Sequence, residues 1–272
     1  MTNITREVRG LSSVTLVSLG LLIFLFIVVL PLSSVFRFAF EDGIGPFINA
    51  VTKEEALNAF RNSLLVAFIA TVINGIVGTL LALVITRYRF PGKQVFKALI
   101  DLPIAIPTAV VGLALMMLYG PQGLMGTLMQ GSGIEVMMHM PGIVLAHVFV
   151  TFPYMVRSVS VVLEKLDPSL EEAAKTLGAG RFRTFKDVVL PSIRGGLVAG
   201  TALTFTRSLG EFGATLFVSG MMFMTGPLYI YHLSDSKFDP QGATSVAIVL
   251  MVFPFILLLS LNYLVSRLEV KE

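Results

Sequence analysis

The chain runs from Asn62 to Thr86 without one charged residue, and does so again over Leu11–Phe36, Leu102–Ile134 and Pro240–Ser266. No other feature limits the fold as strongly. A helix needs roughly 20 apolar residues to cross the hydrocarbon core of a bilayer, and each of these runs is at least 25 residues long. Only 14% of the 272 residues are charged, against about 25% in a soluble domain. The sequence therefore predicts an all-α integral membrane protein with six transmembrane helices, over about 11–36, 62–86, 102–119, 141–163, 195–218 and 240–266. The third run is too long for one helix and holds Gly120, Pro121, Gly123 and Gly126, so its helix is expected to stop near Tyr119. Arg6 and Arg9 precede the first run as they would in a signal peptide. That run exceeds the 7–15 residues of a signal h-region, and no small-residue cleavage site follows, so a retained helix is expected.

Orientation follows from the basic residues, which concentrate on the cytoplasmic side. With the N-terminus inside, the inner segments hold fourteen Lys and Arg and the outer segments four. The inner set is Arg6 and Arg9; Arg87, Arg89, Lys93 and Lys97; Lys165, Lys175, Arg181, Arg183, Lys186 and Arg194; and Arg267 and Lys271. Both termini are then cytoplasmic, and one transmembrane domain (11–266) lies between tails 1–10 and 267–272. A net charge of +3 is too small to argue for nucleic acid, and with no cysteine there is neither a disulfide nor a thiolate metal site.

The fourth and fifth spans are joined by a hydrophilic cytoplasmic segment, 164–194. Its pattern predicts two short amphipathic helices. Asp167 suits an N-cap and Pro168 the first helical position; Glu171 and Glu172 follow near the positive end of the helix dipole. Leu170, Ala173, Ala174 and Leu177 share one face, and Gly178 stands where a left-handed C-terminal residue is needed. Phe182, Phe185 and Val189 are expected on one face of the second helix, which Pro191 ends. Such a pair can lie in the lipid headgroups, connect two spans, or dock a cytosolic partner. Patterning does not choose between lipid and partner.

Spacing adds a resemblance. Glu172-Ala173-Ala174, three residues, Gly178, nine residues, Val188, one residue, then Leu190-Pro191 resembles the E-A-A-x3-G-x9-I-x-L-P loop of ABC importer permeases, with Val for Ile as the sole departure. "RYRFPGK" from Arg87, "DLPIAIPTAVVGLAL" from Asp101, "LYGPQG" from Leu118 and "TRSLGEFGA" from Thr206 are similar to the sulfate/thiosulfate branch of the sulfate–molybdate–tungstate permeases. The resemblance implies a type I importer fold in a prokaryotic cell membrane. It also implies two ATP-binding cassette subunits beneath a permease dimer, whose second member is a homologue or another copy, and an external oxyanion-binding protein. The loop would be the coupling helix that fits the ATPase. ATP and Mg would belong to those partners, and no cofactor to this chain. Consistent with that, no G-x4-G-K-[ST] occurs. Molybdate or tungstate is the alternative cargo. An ATP-independent secondary anion transporter is the rival of another class, and a membrane enzyme lacks any catalytic constellation to support it.

Within the spans, Arg207 and Glu211 are the costliest residues, at about 2.5–3.5 kcal/mol each at a bilayer centre. Four apart on one expected helix, they can pair. With Thr204 and Ser208 on nearly the same face, they either line an anion path or clamp the bundle. Pro103 and Pro107 each remove a helical N–H at the start of the third span, so a packing kink or a broken helix near a gate is expected there, with Asp101 and Thr108 at hand to satisfy freed backbone. Pro153 predicts a kink in the fourth span, and Arg157 is expected to snorkel to the inner surface. Gly196 and Gly200 predict close helix packing. His139, His147 and His232 are expected to be scattered near the outer side without metal-ligand spacing. The methionines between Met125 and Met140 read as an apolar outer hairpin.

Overall fold

The computed structural model describes residues 11–129, 135–220 and 223–269. Arg6, Arg9 and Lys271, the tails 1–10 and 270–272, and part of the methionine-rich hairpin lie outside them, as does the side chain of Arg267. Every regular element among the described residues is helical. Five segments are long and apolar enough to cross a bilayer, and six if the bent pair Arg181–Ser192 and Arg194–Leu209, which overlaps the fifth span of the sequence reading only from residue 195 to 209, is counted as one span.

The first run forms α1 (Leu11–Phe24) and α2 (Leu30–Ala39), joined through a π-helical turn over Leu25–Val29. Its apolar side chains stay exposed apart from those that meet the last helix. A short α3 (Ile44–Thr52) precedes α4 (Glu54–Arg87). At 34 residues and 1.5 Å of rise per residue, α4 is about 51 Å long and outreaches the hydrocarbon core. Its buried stripe is made of small side chains: Ala56, Ala59, Ser63, Ala67, Ala70, Gly78 and Ala82 among them. Small residues let backbones approach where no hydrophobic force separates helix from lipid. A Cβ on Gly78 would stand 2.7 Å from Met155 Cγ, so α4 lies directly against the fourth span, α8 (Met140–Lys165).

The third span is broken. Residues Lys93–Ala105 form α5 and Thr108–Tyr119 form α6, with Ile106 and Pro107 extended between them. Pro103 is buried inside the last turn of α5, whereas Pro107 is the exposed N-cap of α6. A proline there loses nothing, because the first N–H groups of a helix have no partner anyway. Its carbonyl accepts from Val110 and Val111. Asp101 does not serve the freed backbone. It pairs with Arg157 at 2.8 Å, so Arg157 is an ion-pair partner and not merely a snorkelling cation.

The fifth span is also broken, against the expectation of one helix. α12 (Arg194–Leu209) and α13 (Gly213–Val218) are separated by Gly210, Glu211 and Phe212. α12 also turns by 69° from the Arg181–Ser192 segment before it. Gly196 and Gly200 pack on α8 as expected, against Ser158, Val162 and Met155. Beyond α13, the short α14 (Gly226–Asp235), not anticipated from the sequence, precedes α15 (Pro240–Glu269), the last span. The remaining short helices are α7 (Leu124–Met129) after the third span, and α9 (Pro168–Thr176), α10 (Arg181–Thr184) and α11 (Leu190–Ser192) in the hydrophilic segment. Three apolar clusters hold the bundle: one near the hydrophilic segment around Met155, Val159 and Ile193, one around Val111, Ile143 and Ala214, and one at the far end around Ala56, Tyr229 and Val246.

Candidate functional site

The two broken spans meet at their breaks. A Cβ on Gly213, the first residue of α13, would press on Thr108 Oγ1 and stand 3.0 Å from the Ala109 nitrogen, at the start of α6. A Cβ on Gly112 would press on the Ala214 carbonyl and stand 2.8 Å from Ala214 Cα. Two interrupted backbones are thus in contact through glycine and alanine, which no larger side chain would allow.

A buried polar cluster is attached to this junction. Glu211 sits in the break itself, 1% exposed. One of its oxygens accepts from the Ala214 N–H at 2.9 Å, capping α13, and the other lies 2.7 Å from Arg207 Nη2. The pairing expected for Arg207 and Glu211 therefore exists, although Glu211 lies beyond the end of α12 and not on the same helix. Arg207 retains a third of its side-chain exposure while the carboxylate is sealed. Ser208 and Thr204 are both buried, and Thr204 Oγ1 has no hydrogen-bond partner among the described residues.

His147 belongs to this cluster and not to the outer surface. It is buried on α8, with Nδ1 at 2.7 Å from Ser208 Oγ and Nε2 at 2.9 Å from Thr215 Oγ1. Ser208 precedes the break and Thr215 follows it, so one imidazole spans the interruption. Its own carbonyl accepts from Thr151 Oγ1 at 2.7 Å, and Thr151 in turn accepts from Asn74 Nδ2 of α4 at 2.8 Å. Hydrogen bonds thus run from α4 through α8 to both sides of the break. Sequence reasoning placed Arg207, Ser208, Thr204 and Glu211 here, but missed His147, Thr215, Thr151 and Asn74. Pro103 and Pro107 shape the neighbouring break and lie outside this cluster. No group of His, Asp and Glu able to hold a metal occurs among the described residues.

The hydrophilic segment has the expected start and end. Asp167 caps α9 by accepting the Ser169 N–H at 2.9 Å, a bond that holds its carboxyl below the ordinary range. Gly178 adopts φ +83°, with the Ala179 N–H on the Ala174 carbonyl and its own N–H on that of Lys175. That is the Schellman closure, which needs a left-handed residue at this position. Glu172, Ala173, Gly178 and Leu190 are exposed, and Ala174, Val188 and Pro191 half-buried. Leu177 (88% exposed) and Phe182 (78% exposed) stand out into solvent. The expected common face of Phe182, Phe185 and Val189 is not formed. A π-helical turn over Phe185–Val189 shifts the register, so that Val189 is buried while Phe182 points away. Helical backbone continues past Pro191 to Ser192.

A family model described as "Binding-protein-dependent transport system inner membrane component" matches residues 74–270. "Sulfate transport system permease protein CysT" of Salmonella typhimurium is 42% identical over 256 residues, 92% of each chain. "Sulfate transport system permease protein CysW" of Synechocystis is 36% identical over 93% of this chain and 92% of its own. Among solved structures, a bacterial alginate ABC transporter in complex with an alginate pentasaccharide-bound periplasmic protein superposes with a TM-score of 0.78 over 93% of each chain at 18% identity. The MetNI methionine ABC transporter superposes with 0.62 over 78% of this chain and 94% of that one, at 15% identity.

Proposed function

The chain belongs to the family of binding-protein-dependent transport system inner membrane components, and from that premise we propose that it is the permease subunit of an ABC importer for sulfate. It is a multi-pass membrane protein and not itself an enzyme. The observation that carries the cargo is the 42% identity to a sulfate permease along 92% of the chain. Molybdate and tungstate find no such support among these relatives. The proposal places the protein in a bacterial inner membrane with both termini inside. Two ATPase subunits holding ATP and Mg dock on the hydrophilic segment, a second permease subunit (a homologue or another copy) completes the channel, and an external binding protein delivers the anion.

The geometry supports a division of labour. Glu172, Ala173 and Gly178 present an exposed surface at the closed end of α9, beside the half-buried Ala174 and flanked by the protruding Leu177 and Phe182. Such a surface fits a cleft on a partner, since small residues allow close approach and apolar tips supply buried area once docked. The closed-up breaks of the third and fifth spans, with Arg207 beside them, suit a gate that separates the two sides of the membrane. Closure of the ATPases on ATP would be transmitted through the loop as rigid-body motion, switching access outward, and hydrolysis would return it. No covalent chemistry occurs on this chain.

The test is uptake of radiolabelled sulfate into proteoliposomes holding the permease pair, the ATPases and external binding protein, with and without internal ATP. ATP-dependent uptake that resists excess external molybdate is expected. Uptake abolished by molybdate would move the cargo to that anion, and uptake indifferent to ATP would favour a secondary transporter. In the same system Gly178→Trp, which cannot adopt φ +83° without strain, is expected to lose copurifying ATPase while the helices stay folded.

A further inference from the structure

We infer that Arg87 and Glu171 form the strut that carries motion of α9 into the membrane-spanning helix α4, an assignment that rests on the coupling-loop reading above. Arg87 ends α4, and its Nε donates to Glu171 Oε1 in the first turn of α9 at 2.7 Å. Its Nη2 donates to the Leu166 carbonyl at the end of α8 at 3.3 Å. One planar guanidinium therefore ties the end of α4 to both sides of the α8–α9 corner, 79 and 84 positions further along the chain.

Three observations make this more than a surface ion pair. First, both side chains are about four-fifths buried, at 18% and 19% exposure, so the pair is shielded from water and salt. Second, α9 buries none of its own residues and touches mainly α10 and the Phe185–Val189 turn, so apolar packing holds it only lightly. Third, α8 and α9 are joined only through Leu166 and Asp167, both in extended backbone. Without a cross-tie, a push on α9 reaches the bundle only by way of α10 and the Phe185–Val189 turn, and α9 can pivot at the corner relative to α4. With it, the push reaches α4, which packs along α8 and α12 through the membrane. The two helix dipoles favour this arrangement, with a cation at the C-terminal end of α4 and a carboxylate at the N-terminal end of α9. Arg87 and Glu171 are positioning residues: neither needs to touch the anion or ATP.

The experiment uses the assembled importer in proteoliposomes and reads three quantities together: copurified ATPase, ATP hydrolysis with and without sulfate-loaded binding protein, and sulfate moved per ATP hydrolysed. Arg87→Gln and Glu171→Gln are expected to keep the ATPase bound and its basal hydrolysis. Sulfate moved per ATP should fall by about fivefold or more, the lower range of coupling between protein sites. Arg87→Lys should recover only part, because one ammonium cannot serve both acceptors in the guanidinium geometry. The exchange Arg87→Glu with Glu171→Arg should transport better than either single reversal, though below the native protein, since both charges then oppose the helix dipoles. An unchanged sulfate-to-ATP ratio in both Gln variants, or an exchange no better than the single reversals, overturns the strut. Loss of the ATPase from the Gln variants also overturns it, because the pair would then serve docking. The loop reading fails separately, if Gly178→Trp keeps both its ATPase and its transport.

Discussion

Removing the charge from Glu211 separates a clamp from an anion path. Glu211→Gln keeps an oxygen for the Ala214 N–H, which it now accepts at 2.9 Å, but loses the carboxylate 2.7 Å from Arg207. Breaking a fully buried ion pair costs about 3–5 kcal/mol, and an exposed pair is worth about 0–1 kcal/mol. Arg207 keeps a third of its side chain exposed and can recover part of its solvation, so the expected cost is about 2–3 kcal/mol. Arg207→Gln should cost more, about 3–5 kcal/mol, because it strands the carboxylate, which is 1% exposed. The double variant leaves two neutral amides side by side and should lie within about 1 kcal/mol of the native protein. The assay is the unfolding midpoint of the purified importer at one fixed heating rate, where Glu211→Gln should fall by roughly 4–12 °C. If the costs of the single variants add in the double, the two residues are not coupled and the reasoning fails. Transport then assigns the role. A stable double variant with native sulfate uptake makes the pair a clamp, whereas a stable one with raised KM for sulfate-loaded binding protein or lost uptake places Arg207 on the anion path.

Three further substitutions test the packing around that pair. Gly112→Ala puts a methyl onto the Ala214 backbone, which has no flexible end to swing aside, so it should cost about 1–3 kcal/mol. Gly75→Ala, with nothing within 4 Å, should leave the midpoint unchanged or slightly raised, and equal midpoints for the two would refute the tight junction. His147→Phe takes the ring partner from the Ser208 and Thr215 hydroxyls and should cost about 2 kcal/mol, at the low end of about 1–3 per stranded group because hydroxyls can turn to nearby carbonyls. The same midpoint measurement checks it, and no loss would mean that the imidazole does not hold the break.

The spans were legible because the bilayer demands long uncharged runs; α8 and α15 extend only a few residues beyond theirs, whereas α4 starts two turns earlier, at Glu54. The end of α9 was legible for a local reason: Asp167, Pro168 and Gly178 each impose backbone geometry within one turn. The break before α6 was foreshadowed by Pro107, which leaves the preceding residue extended. The break after α12 was not, since neither Gly210 nor Gly213 forbids a helix. The signal was a glutamate held between two glycines in an apolar run. His147 looked isolated because its partners are 61 and 68 positions away. Arg157 looked like a snorkelling cation because Asp101 is 56 positions away. Partnerships at such separations leave no periodic trace, and so the residues that tie elements together were the ones missed.

The placement of the two breaks has a mechanical consequence. A continuous helix transmits displacement along its axis, while an interrupted one can bend where its ladder of hydrogen bonds is absent. Here the interruptions of the third and fifth spans lie against each other, and Gly112 and Gly213 hold them at backbone contact. Neither α13 nor α6 can tilt towards the other, because no side-chain slack separates them. Any rearrangement at this level must carry α6 and α13 as one body, pivoting against α5 on one side and α12 on the other. The His147 bonds to Ser208 and Thr215 and the Glu211 cap on α13 cross one pivot directly, so they resist that motion more than any apolar contact of similar area would. The loop-side helices, packed around Met155, Val159 and Ile193, form a second body on the other side of the pivots. A bundle divided in this way needs no melting of structure to alternate access. Under the proposed function it needs a push delivered at the hydrophilic segment and a polar latch at the breaks weak enough to yield to it.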